Sequence, residues 1–322
     1  MMLTHRNFMT RRHAIAAAAA TGLAASSSVA GFATMKRKMT IHLVPGSIGV
    51  QATQQEAIAF AKQYGFESVE ANGAYLATLQ PGEIDKIRED VQKAGLVWGN
   101  AGLTVDFRKD AETFNTGMAQ LPAIAKALQR AGVTRIGTWI SPAHATLTYT
   151  ANMKQHAERL RKIAAVYADH GQRLGLEYVG PKTLWTSNRY PFVHSMAEMK
   201  DLIAAIGARN VGLLLDSWHW YTAGETAADI ESLRNEDIVC GDLNDAPAGV
   251  PVSEQIDSRR ELPLATGVIP VGEFLNALNK IGFDGPLRCE PFNAALRSMT
   301  REQALSAVAK SMKQAFALIR ES

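Results

Sequence analysis

Cysteine is nearly absent. Cys240 and Cys289 are the two in 322 residues, too few for a disulfide framework even in an oxidising compartment. Side chains alternate along a strand. If Asp242 points inward, so does Cys240, whereas Cys289, next to an inward Glu290, faces the other way; two free thiols are expected. Surplus charge is missing too. The formal +3 traces to Arg6, Arg11 and Arg12 in the first thirty residues, which hold no acid. The rest of the chain is balanced and offers no basic stripe for a nucleic acid. No GxGxxG or GxxxxGK[ST] phosphate turn occurs. No Ser-His-Asp or reactive-cysteine arrangement emerges either, which argues against nucleophilic hydrolysis. Beyond the N-terminal segment no apolar run approaches the ~20 residues of a membrane span.

What is present starts with residues 1–33, which read as an export signal. Thr10-Arg11-Arg12 with Ile15 resembles a twin-arginine motif, although Ala14 stands where Phe is usual. An uncharged Ala-rich run follows, then Ser28-Val29-Ala30 as a small-x-small cleavage site. The competing reading is an uncleaved anchor, for which the run is short and Ala-rich. A cleaved signal makes residues 34–322 the mature chain, soluble and periplasmic, with no membrane attachment.

From about Thr40 the chain alternates short β-rich runs with longer helical patterns. Strands are expected over 40–44, 66–71, 96–101, 135–140, 176–180, 210–216, 237–243 and 286–292. Helical stretches such as TQQEAIAFAKQYG lie between them. Eight strands, each followed by a helix, predict an α/β fold of the (β/α)8 TIM barrel type over residues 34–322. A doubly wound open sheet is the alternative, but the first turn, VPGSIGVQA, lacks the glycine pattern such a sheet usually offers. The last stretch, 300–322, reads as an exposed amphipathic helix whose apolar face permits a homodimer.

In a barrel, functional residues gather at strand C-termini. Those ends carry Glu70, Glu177, Asp216, Asp242 and Glu290. A single acid there is readily a helix cap, and Asp216 at the end of VGLLLD invites that reading. The last four acids sit on consecutive strands, so their carboxylates converge and repel unless a cation neutralises them. A hard divalent ion in an oxygen cage accounts for the pattern.

The ordered segments LEYVGPKT, LLLDSWHWY, DLNDAP and LRCEPF resemble the sugar phosphate isomerase/epimerase superfamily of xylose isomerase-like barrels. Ketose 3-epimerases and inosose dehydratases are among its members. The resemblance implies one divalent cation held by Glu177, Asp216, Asp242 and Glu290. It further implies that Glu177 and Glu290 exchange a proton with substrate while His219 lies beside it. Many epimerase-like members have His where this chain has Asp242; an all-oxygen set shifts the expected metal to Mn²⁺ or Mg²⁺. Asn244 and Asp245 are the fallback if Asp242 lies behind the metal.

Each role has a plainer counterpart. Glu177 and Glu290 could bind metal only, and His219 could simply pack among Trp218 and Trp220. Lys182 could meet a substrate oxygen or merely balance the acids. The long loop 244–270 brings Arg259 and Arg260 as candidates for substrate contact or for salt bridges with Asp257 and Glu261. Trp98, Trp139, Trp185, Trp218 and Trp220 fall near strand ends, where aromatic faces suit sugar C–H surfaces; Trp185 and Trp218 are taken as substrate contacts. The function expected is a metal-dependent sugar or cyclitol isomerase/epimerase acting by proton abstraction beside a carbonyl, with a small carbohydrate as its partner. A lyase or dehydratase on an inosose or 3-keto-glycoside is the first alternative. A non-catalytic periplasmic sugar-binding protein is the second.

Overall fold

The computed structural model describes residues 37–320; the expected export signal lies outside them. The strands are β1 (Thr40–Leu43), β2 (Ser68–Val69), β3 (Val97–Trp98), β4 (Ala101–Gly102), β5 (Arg135–Trp139) and β6 (Ala143–His144). They continue with β7 (Arg173–Glu177), β8 (Tyr190–Pro191), β9 (Val211–Asp216), β10 (Ile238–Asp242) and β11 (Pro286–Arg288). Nine of them form one parallel sheet in the order β3-β2-β1-β11-β10-β9-β7-β5-β4. Its two ends belong to a single segment interrupted at Gly99–Asn100. Residues 97–98 pair with β2, and 101–102 pair with β5. The sheet therefore closes on itself as an eight-position barrel, and the open-sheet alternative falls away. β6 and β8 form a separate antiparallel ribbon.

Size complementarity fills the interior. A Cβ at Gly137 would meet Leu214 and Cys240, and one at Gly175 would meet Val239. Glycines on β5 and β7 thus make room for larger side chains from β9 and β10. At Gly99 the requirement is absolute: a Cβ would lie 2.3 Å from the His42 ring. Both cysteines are buried and free.

Helices ring the barrel, and local chemistry fixes their ends. Helix Gln54–Tyr64 starts on a Thr53–Glu56 capping box and stops at Gly65, whose φ is +73°. The closing helix, Arg301–Phe316, is less exposed than expected. Leu305, Val308, Met312 and Ala315 on one face are buried in the core. The fifth barrel strand also sits earlier than expected, at Arg173–Glu177 rather than 176–180. The preceding helix ends at Ala168, and Gly171 at φ +68° turns the chain into the strand. Glu177 is thereby the last residue of β7. Among the described residues no helix is long and apolar enough to cross a membrane.

Candidate active site

Strand register places the site. Asp242 is aligned with Asp216 on β9 and with Arg288 on β11, so these three side chains stand at one level inside the barrel mouth. Glu177 arrives from the end of β7, and Glu290 follows β11 by two residues, on the same face as Arg288. One oxygen from each of Glu177, Asp216, Asp242 and Glu290 lies within 4.8 Å of the others. Glu177 and Glu290 line a cavity of about 590 Å³, and Asp216 and Asp242 are buried beside them. Leu103, Trp139, Pro142 and Phe292 line its other walls.

Two guanidiniums hold the acids together. Arg288 grips Asp242 with both arms, Nε to Oδ1 at 2.7 Å and Nη2 to Oδ2 at 2.8 Å. Its Nη2 also lies 2.8 Å from Glu290 Oε1. Arg260 donates from Nη1 to Asp216 Oδ2 and from Nη2 to Asp257 Oδ1, both at 2.7 Å. Its guanidinium lies between the rings of Trp218 and Phe292, at 5.6 and 4.7 Å. Phe292 itself sits at φ +43°, a strained conformation for an aromatic residue at a cavity wall.

Asp216 does both things considered for it. Its Oδ1 accepts the Trp218 N–H at 2.8 Å, capping helix Ser217–Thr222, while Oδ2 faces Arg260. Asn244 locks the frame: its Nδ2 donates to Asp216 Oδ1 and its Oδ1 accepts the Glu290 N–H, each at 3.0 Å. Asp245 lies outside this cluster of acids. Its Oδ1 accepts the Ala246 and Ile269 N–H groups and its Oδ2 those of Thr266 and Gly267, which pins the two ends of the long loop together.

Burial sets the electrostatics. It raises the Glu177 carboxyl well above the usual range, with Asp242, Glu290 and Asp216 adding repulsion. Burial also lifts Glu290, to about 7, against the pull of Arg288, and raises Asp242 against the same arginine. Arg288 stays cationic because Asp242 and Glu290 outweigh its own burial cost. His219 is fully buried, with Nδ1 accepting from Gly180 N–H at 3.2 Å and Nε2 3.1 Å from Arg260 Nη2. Burial and the Arg260 charge push it down to about 3, so the imidazole is neutral. Its Nε2 is 3.7 Å from Glu177 and 3.8 Å from Asp216.

The residues fit a divalent cation. Glu177 Oε1 is buried without a hydrogen-bond partner, at considerable cost unless something meets it. With all four carboxylates ionised, the two guanidiniums leave two negative charges uncompensated. The oxygen-only set suits a hard ion. Glu177 Oε1 is the unpartnered oxygen such an ion would meet, whereas both oxygens of Asp216 and of Asp242 already accept hydrogen bonds.

Several expected contacts do not reach this cavity. Lys182 is exposed at the start of a short helix after Pro181. Trp185 stacks on His194 at 4.8 Å, and both Lys182 and Trp185 line a neighbouring pocket. Trp218 is wholly buried beneath Arg260, and Arg259 points outward while Arg260 turns in. Trp98 donates to Ala131 O outside the barrel, and Trp220 packs on Phe274. Of the five tryptophans, Trp139 lines the cavity, with Arg108 4.3 Å above its ring. Arg288 and Arg108 were not anticipated. Arg288 was findable, since it precedes Glu290 by two residues and so shares its inward face.

Residues 58–315 match the family described as the xylose isomerase-like TIM barrel. An inosose isomerase of Bacillus velezensis is 28% identical over 155 residues, 47% of this chain and 51% of that protein. The chain thus spans about half the length of the curated relatives it matches. A xylose isomerase domain protein from Alicyclobacillus acidocaldarius superposes with a TM-score of 0.77 at 31% identity, covering 87% of this chain and 99% of that one. An IOLI protein solved with a bound zinc atom superposes at 0.72 and 17% identity, over 88% and 100% of the two chains, which is a likeness of fold. With its closed barrel, its acids at successive strand ends and this match over most of its length, the chain belongs to the xylose isomerase-like TIM barrel family.

Proposed function

We propose that the protein is a sugar or cyclitol isomerase/epimerase that moves a proton on a carbon beside a carbonyl. The observation that carries this reading is the pair Glu177 and Glu290. They are two carboxyls on one cavity floor, reached from strands separated by β9 and β10, with environments that raise both above ordinary carboxylates. Carboxyl groups raised in this way, Glu290 to about 7 and Glu177 upward by burial, can take a proton from carbon and return one. In the forward step a carboxylate removes the C–H proton and the electron pair moves into an enediolate. A carboxyl then returns a proton to the other face, or to the neighbouring carbon. Arg260 and Arg288 line the same cavity and present N–H donors to the oxygen that gains charge. His219, held neutral, orients a hydroxyl.

A divalent cation, Mn²⁺ or Mg²⁺, would be held by Glu177, Asp216 and Glu290, with Asp242 beside them. When bound it polarises the carbonyl and acidifies the adjacent C–H. Inosose isomerases among the relatives support a cyclitol or small sugar as substrate. The twin-arginine pattern at residues 10–12 adds the proposal that the reaction takes place in the periplasm, which fractionation of cells producing the full chain checks.

The test is proton exchange in D₂O. Wild-type protein supplied with Mn²⁺ is incubated with ketoses, inososes and 3-keto-glycosides and followed by NMR, beside Glu177→Gln. Deuterium entering next to the carbonyl with wild type alone supports the reading. Accumulation of an unsaturated product instead identifies a lyase. No exchange with any substrate, alongside ligand-induced stabilisation, moves the sugar-binding protein to the front.

A further inference from the structure

The cage already contains a cation. Arg288 is delivered by a barrel strand and not by a loop, at the register position beside Asp242. Its guanidinium uses both Asp242 oxygens and reaches Glu290 Oε1 as well. Arg288 and Glu290 keep 18% and 14% of their side-chain surface exposed, and both line the cavity. A bidentate fork of this kind is among the stronger charge-assisted contacts available to a carboxylate. It holds the oxygens that a fourth metal ligand would offer. On the opposite side Arg260 occupies Asp216 Oδ2, whereas Glu177 Oε1 is buried with no hydrogen-bond partner.

We propose that Arg288 is the resident counter-charge of the acid cage. It keeps Asp242 and Glu290 converged without a metal and makes a divalent ion bind weakly and exchangeably, by competing for the same oxygens. The inference rests on the proposed reaction only for the choice of site. A bound ion meets Glu177 first, must share Asp216 and Glu290 with two guanidiniums, and gains Asp242 only if the Arg288 fork lets go. Replacing Arg288 by methionine removes the competitor and a neighbouring positive charge, both of which oppose a second cation. Lysine keeps the charge but not the two-armed geometry.

The experiment compares wild type, Arg288→Lys and Arg288→Met after stripping with a chelator, by calorimetric titration with Mn²⁺ and by thermal melting with and without Mn²⁺. In wild type the melting temperature is expected to change by less than about 2 °C on adding Mn²⁺, as for a weakly held ion. Arg288→Met is expected to bind Mn²⁺ at least about tenfold more tightly, with Arg288→Lys between the two. An Arg288→Met protein that folds only when Mn²⁺ is present also supports the proposal, because its cage then lacks a resident cation. Wild type that retains a stoichiometric ion through dialysis, or unfolds when stripped, overturns it. So does an Arg288→Met protein that binds Mn²⁺ no better than wild type. If Arg288→Met cannot be folded under any condition, the wild-type measurements decide alone. None of these readouts needs turnover, so a failure of the proposed reaction and a failure of this inference are separable.

Discussion

The two ends of the barrel each carry a pair of arginines, and they use them differently. At the N-terminal end Arg135 opens β5, donating to Val239 O at 2.7 Å and to Asp284 at 2.8 Å. Arg173 opens β7 and donates to the carbonyls of Glu236 and Ile238. These arginines satisfy backbone oxygens on β10 and the turn before it, and they face one acid. At the C-terminal end Arg260 and Arg288 face four buried or largely buried acids, and a deficit of positive charge remains. The lower pair closes hydrogen bonds that folding would otherwise leave open. The upper pair holds together groups that would otherwise repel, which costs stability and maintains reactivity.

Substitutions should separate the two ends, and the largest effect belongs to the upper one. Glu177→Gln should lower proton exchange by about 10³-fold, in the range for loss of a general acid or base. It should also raise the melting temperature, because a neutral amide avoids the cost of burying a carboxylate there and its repulsion with Asp242, Glu290 and Asp216. Activity and thermal melting on one preparation check both signs. Arg135→Ala should do the reverse. Losing the donor to Val239 O and the partner of Asp284 should cost about 1–3 kcal/mol of stability, with exchange per folded molecule unchanged. Denaturant unfolding reads the first and specific activity the second.

The pH dependence of stability sharpens the contrast further. His219 is held near 3 in the fold and near 6.5 in an unfolded chain. The unfolded chain therefore takes up a proton that the fold refuses, and stability falls as pH drops below about 6.5 toward 3. Glu225, which pairs with the Tyr178 hydroxyl, is raised to about 7 chiefly by burial. The folded state keeps a proton that the unfolded chain has lost, so stability falls as pH rises from about 4.5 to 7. Urea unfolding across pH should show His219→Gln flattening the acid limb and Glu225→Gln flattening the neutral one. The smallest effect is expected at the cavity mouth: Trp139→Ala should raise KM several-fold with little change in kcat, as for loss of an aromatic wall.

Much of the fold was legible because alternating periodicity and turn residues are local signals. The start of the fifth strand is masked because the helical pattern reads on through Arg173-Leu-Gly in the sequence, whereas the helix ends at Ala168 and the left-handed Gly171 turns the chain into the strand. The longest helix, Ala111–Ala131, carries Pro122 inside it, a residue that locally argues for a break. In the site, the four acids followed from their place at strand ends. Arg288 lies on the same strand face as Glu290, but its pairing with Asp242 depends on the β10–β11 register, which only the fold supplies. The choice of Arg260 over Arg259 could not be made from sequence, since it depends on Asp216, Trp218 and Phe292, which come together only in the fold. Asp245 lies three residues beyond Asp242 and carries the same functional group. Only the surrounding backbone N–H groups show that it serves the loop.

That pinning by Asp245 has an evolutionary consequence. One carboxylate ties residues 246 and 266–269 together at the base of the loop, so the chain between them hangs from a closed neck. On either side of Arg260, which reaches down to Asp216, the arc over the barrel can change length or composition at small entropic cost without moving the acids below it. Selection can thus retune what enters the cavity while the floor, fixed by strand register, is inherited unchanged.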